Sequence, residues 1–130
     1  MSLPTAIRSA LLSNATLNSY TGTRVYYMRF PQDSTEDAVV FTPRGNVNEA
    51  THGGTSVLLS PEVRLTLRAS SLATLETMRE SIHTQFNVPE VAMTGYGAVQ
   101  CRIDDMGAEY DDALDVYHYY LTLNLNMRND

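Results

Sequence analysis

The densest group of ionisable residues runs from Asp104 to Asp115, where Asp104, Asp105, Glu109, Asp111, Asp112 and Asp115 supply six of the fifteen carboxylates with no base among them. Clustered carboxylates are the ligands that hard cations such as Mg²⁺ and Ca²⁺ take. The spacing does not follow an EF-hand loop, which alternates its ligands, turns on a fixed glycine and closes on a glutamate. The simplest reading is a solvated, self-repelling loop between two strands, and no metal site is assigned; contact with a partner's arginines is a further reading. The three histidines, His52, His83 and His118, show no H-x-x-x-H or Cys/His pairing of the kind that holds zinc. His118 reads as a surface residue. Cys101, the single cysteine, alternates with apolar neighbours and reads as a small core residue; a nucleophilic role would require a base such as His118 beside it. Neither G-x-G-x-x-G nor G-x-S-x-G occurs, and a phosphate loop ending in G-K-[ST] is impossible in a chain without lysine. No catalytic residue and no cofactor is expected, so the chain reads as a non-enzyme.

The charge balance narrows the partners. Formal net charge is −6, whereas a nucleic-acid binder normally carries a basic surplus to neutralise phosphates. No nucleic-acid sequence recognition is expected. All nine basic residues are arginine, a side chain enriched at protein interfaces where lysine is depleted. That bias suits either a surface built for subunit contacts or chance composition. The start, MSLPTAIRSALLSN, lacks a signal peptide's apolar run, and no stretch approaches a membrane span. The expectation is a soluble protein in a reducing compartment with no membrane partner. At 130 residues and 43% apolar content, the chain suits one domain, 1–130, burying roughly two-thirds of its unfolded surface.

The elements follow from periodicity. Pro4 suits a helix first turn, with Ser2 as a possible cap, and Ala6, Ile7, Ala10 and Leu11 give an apolar face, so a helix is expected over about 4–13, ended by Asn14. Arg24 to Phe30 is rich in strand formers and is stopped by Pro31; a polar loop follows, then a short strand from Ala38 that Pro43 ends. The stretch 44–56 is either a long loop or a projecting hairpin whose arms continue the flanking strands. Val63, Leu65 and Leu67 alternate with Arg64, Thr66 and Arg68 as in a half-buried strand, with Pro61 suggesting an edge position or a bulge. Ser70 or Ser71 caps a helix over 71–86 with Leu72, Leu75, Met78, Ile82 and Phe86 on one side. Val99, Cys101 and Ile103 share a strand face. The last strand, Tyr117 to Met127, alternates strictly, with Tyr117, Tyr119, Leu121, Leu123, Leu125 and Met127 against His118, Tyr120, Thr122, Asn124 and Asn126. The expected fold class is α+β: a mostly antiparallel sheet of about four or five strands packed on two helices, in the order α-β-β-β-α-β-β.

Nearly the whole chain, in order and phrasing, resembles the tail terminator (tail completion, minor tail) proteins of long-tailed bacteriophages. The resemblance rests on the opening helix, Arg24-Val-Tyr with Phe30-Pro31-Gln32, and the Ala38-Val-Val-Phe strand. It continues through Val63-Arg-Leu-Thr-Leu-Arg-Ala-Ser-Ser entering the amphipathic helix, the acidic stretch, and Tyr117-His-Tyr-Tyr-Leu-Thr-Leu-Asn-Leu. It implies a virion subunit of a homo-oligomeric ring, typically a hexamer, at the tail–neck junction and assembled in the host cytoplasm. Such a ring caps the finished tail tube, stops its polymerisation and presents a joining surface to the head connector. Another neck component, or a small divalent-metal enzyme or ligand-binding domain, are the alternative readings.

A closed ring needs two different patches on each subunit. The candidate interface residues are Arg44, Asn46, Asn48, Glu49 and His52 in the 44–56 segment, with Tyr120, Thr122 and Asn124 on the nearly uncharged face of the last strand. The segment differs in length from that of many relatives, so no contact there is carried over.

Overall fold

The computed structural model describes residues 3–32, 34–46, 57–93 and 95–129. Helix α1, Leu3–Leu12, buries Leu3, Ala6, Ile7, Ala10 and Leu11, the face the spacing predicts; Ser2 lies outside the described residues. Asn14 does more than end it. Its side chain accepts from the Leu17 backbone N–H at 3.0 Å and caps a second helix, α2, Ala15–Thr21. The fold therefore has one helix more than the sequence pattern suggested. Gly22 closes α2 with φ of +56°, a conformation that favours glycine.

Strand β1 is only Val25–Tyr27 and runs parallel to β2, Ala38–Asn46. It stops well before Pro31 because Met28 adopts φ of +76°, turning the chain while its N–H still reaches the Phe41 carbonyl at 3.0 Å. Pro43 does not end β2, which continues through it to Asn46, paired with β3, Val57–Ala69. β2 thus enters the 44–56 segment as far as Asn46, and β3 begins at Val57, just after it. Pro61 lies in neither an edge strand nor a bulge. β3 sits between β2 and β5, and its register with β5 passes over Ser60 and Pro61 without a shift.

Helix α3, Leu72–Phe86, begins at Ser71, whose hydroxyl accepts from the Thr74 N–H at 3.2 Å. Leu75, Met78, Ile82 and Phe86 are buried, each burial contributing roughly 1.5–3 kcal/mol. Leu72, assigned to the same stripe, is 47% exposed in the first turn.

The expected acidic loop is largely a strand. β4 spans Gly97–Asp111, and only residues 112–115 turn before β5, Val116–Asn129. A bulge between Asp105 and Gly107, with Gly107 at φ of +117°, shifts the alternation midway and hides the strand from a period-two reading. As an edge strand β4 carries its charges into solvent, the arrangement that discourages unwanted pairing.

The five strands lie in the order β1-β2-β3-β5-β4, antiparallel except for β1 with β2. The core forms between the helices and one sheet face. Val39, Phe41, Val63, Leu65, Leu67, Leu121, Leu123 and Leu125 meet the apolar sides of α1, α2 and α3 there. Among the described residues no helix is long and apolar enough to cross a membrane.

Candidate subunit interface

Because side chains alternate across a sheet, the residues between these core positions point away from the helices. Cross-strand registers set them in rows. Ala38, Arg68, His118 and Glu109 make one; Val40, Thr66, Tyr120 and Gly107 the next. Thr42, Arg64, Thr122 and Asp104 follow, and Arg44, Glu62, Asn124 and Arg102 complete the surface. Arg44, Tyr120, Thr122 and Asn124, dispersed in sequence, therefore share one helix-free face. Asn46 continues β2 opposite Ser60. Asn48, Glu49 and His52 lie outside the described residues.

The first row is covered by the chain itself. The Arg68 guanidinium donates from Nε to the Glu36 carbonyl and from Nη2 to Ser34 Oγ, both at 2.9 Å. Its Cζ lies 4.0 Å from the Phe30 ring centre, a cation–π contact. Phe30 meets His118 at 5.8 Å between ring centres, and His118 stacks on Tyr120 at 6.3 Å. The segment after β1 thus folds across this end of the sheet, leaving Arg68 only 1% exposed. His118, expected at the surface, is half-buried. Burial pushes its imidazole below the ordinary value, opposed by the carboxylates of Asp111 and Glu109. Burial raises the Tyr120 phenol, and Glu109 and Asp111 add to the rise.

Toward the other end the face opens. Thr122 is 6% exposed and its hydroxyl donates to Met106 Sδ at 3.4 Å. Asn124 is half-buried and donates to Asp104 Oδ2 at 2.7 Å; Asp104 also meets Arg102 at 3.4 Å. Arg44 is exposed. Arg64 was not singled out from sequence, yet its Nε is the one buried side-chain nitrogen or oxygen among the described residues without a hydrogen-bond partner. Its row neighbours are two threonines, so no carboxylate flanks it across the strands. An unpaired buried donor costs about 1–3 kcal/mol.

A second polar cluster lies on the helix side. Asp105 accepts from Arg79 Nε at 3.2 Å and from the Tyr119 hydroxyl at 2.9 Å, while His83 Nε2 is 3.0 Å away. Burial pushes the carboxyl up, but the hydrogen bonds from His83, Arg79 and Tyr119 outweigh it and hold the group at about 2. The cluster ties α3 to β4 and β5. Asp105 continues the alternation of Val99, Cys101 and Ile103 onto the helix side, but its meeting with Arg79, His83 and Tyr119 depends on how α3 packs on the sheet.

Cys101 and His118, the pair a nucleophilic role would require, stay apart. Cys101 packs against the core, its thiol pushed up to about 12 by burial, while His118 lies on the opposite sheet face. Among the described residues no three His, Cys, Asp or Glu side chains converge as metal ligands. A cavity of about 510 Å³ lies between the α1–α2 junction and α3 and is lined by residues that include Asn14, Glu80, Ser81 and Gln85. Its amides are already engaged: Asn14 donates to Gln85 Oε1 at 2.9 Å and Gln85 to the Ala10 carbonyl at 2.6 Å.

No protein-family model matches the chain, and no curated protein matches it in sequence. Its fold is similar to that of a chain in a solved structure described as the virion of a native gene transfer agent particle. The TM-score is 0.66 at 16% identity, over 98% of this chain and 95% of that one. At this identity the likeness is one of fold, and it extends end to end.

Proposed function

We propose that this chain is a structural virion protein of a phage-like particle, acting through assembly surfaces rather than catalysis. The observation that carries the reading is the end-to-end likeness of fold to a chain of a gene transfer agent virion. In finer terms, the chain is a ring-forming tail terminator. It self-associates, with a hexamer as the favoured stoichiometry, caps the completed tail tube, stops its polymerisation and offers a joining surface to the head connector at the tail–neck junction. The resemblance in the order of sequence elements supports this role. So does a sheet with one face closed by three helices and the other left largely to polar and arginine side chains. Tail tube protein, connector protein and further copies of itself are its partners.

Size-exclusion chromatography with light scattering, with and without purified tail tubes, tests the reading. A ring of about six copies, formed alone or on the tubes, is expected. A strict monomer that ignores tail tubes would remove the terminator assignment.

A further inference from the structure

We infer that the subunits join head to tail, with the acidic β4–β5 hairpin tip of one copy seated on the arginine-bearing open end of the next copy's sheet face. This rests on the self-assembly reading above and names the surfaces that carry it.

The two patches differ in charge and stand far apart on one subunit. At the open end, Arg44, Arg64 and Arg102 outnumber two carboxylates, Glu62 and Asp104. One of these, Asp104, is already held by Arg102 and Asn124. Arg44 is exposed at this end, and the buried Nε–H of Arg64 finds no acceptor within the subunit. At the other end, Glu109, Asp111, Asp112 and Asp115 cluster at the hairpin, where Arg68 is buried and spent on Phe30 and the Ser34–Glu36 segment. From His118 to Asn124 along β5 is about 20 Å, so the tip cannot reach its own arginine end. Complementary patches at opposite ends of one subunit are satisfied by a neighbour, and such heterologous contacts close rings when the rotation allows.

The tip is also held in shape. Asp111 Oδ1 accepts from the N–H groups of Ala113 and Leu114 at 3.0 and 3.2 Å, and the Tyr110 hydroxyl donates to Asp115 at 2.5 Å. Tyr110 and Leu114 stand 45% and 43% exposed beside these charges. A tip ordered before contact loses little entropy on docking, and its exposed apolar groups gain by being covered.

Reversal of charge at each patch, followed by mixing, tests the contact. Asp112→Lys at the tip and Arg64→Glu on the face are each purified as full chains and checked for native circular dichroism. Their masses are then measured by light scattering, alone and as an equimolar mixture. Each variant alone is expected to assemble about tenfold or more weakly than wild type. The mixture is expected to recover, because each altered patch meets its complement on the other variant. Variants that assemble like wild type, or a mixture no better than its parts, would overturn the contact while leaving self-assembly intact. Wild type monomeric at every concentration, with tail tubes as well as without, would instead remove the self-assembly reading. If Arg64→Glu misfolds, Arg44→Glu takes its place with the same expectations.

Discussion

The Arg79 guanidinium meets the Asp105 carboxylate side-on, Nε to Oδ1 at 3.2 Å and Nη2 to Oδ2 at 3.3 Å, joining α3 to the edge strand β4. Such two-point pairs fix geometry as well as charge. Tyr119 adds a third tie, its hydroxyl receiving from Arg79 at 2.9 Å while donating to Asp105 at 2.9 Å. Replacing Asp105 with Ala is predicted to cost about 1–2 kcal/mol, reduced from the full value for charged hydrogen bonds because the cluster is partly open to solvent. Thermal or urea unfolding measures it.

The same carboxylate sets an acid limit. Asp105 sits at about 2 in the folded protein against an ordinary value of 3.8. A depressed carboxyl stabilises the fold above its unfolded value and loses that contribution as pH falls toward its folded one. Wild type is therefore predicted to lose this stability between pH 4 and pH 2, and Asp105→Asn to show a flatter profile there. Unfolding midpoints across that range check the difference.

Arg68 is the clasp on the segment after β1. Replacing it with Ala removes the contact with Phe30 and the bonds to Ser34 and Glu36. The expected loss is about 2–4 kcal/mol, with Lys restoring little because it lacks the planar fork. Trypsin cleavage after the exposed Arg29 should accelerate in the Ala variant before global unfolding.

Arg64 is predicted to trade stability for assembly. Its Nε carries an unmet hydrogen bond, so Arg64→Met should leave the isolated subunit unchanged or more stable by up to ~1 kcal/mol while weakening self-association. Denaturation of the dilute subunit and light scattering at high concentration separate the two effects.

Cys101 is predicted to be inert while the fold holds. With the thiol at about 12, almost no thiolate exists at pH 8, and a thiol-specific reagent should react slowly until denaturant is added.

The sequence announces those elements in which one face is apolar along the full length. The period-three-and-four stripe of α3 and the alternation of β5 are of that kind, and both stand where the pattern predicts. Helix α2 escapes notice because Ala15-Thr-Leu-Asn-Ser-Tyr-Thr buries only Leu17 and Thr21 and depends on the Asn14 cap and tertiary packing. Strand β4 is hidden twice, by acidic residues that resemble a loop and by the bulge that shifts its phase at Gly107. Pro43 signals a strand end only when its neighbours are unknown; paired with Val63, it sits inside one. Tyr120, Thr122 and Asn124 are legible as one row of β5. That Arg44, Arg64 and Arg102 join them depends on the register of three other strands, which alternation within a single strand does not encode.

The central claim, that this chain finishes and caps a tail, is tested most directly by electron microscopy of particles assembled without it. Tails longer than wild type and unjoined to heads are predicted, with normal length restored when the protein is supplied. Normal-length tails joined to heads in its absence would contradict the claim, and normal-length tails without heads would reassign the protein to joining alone.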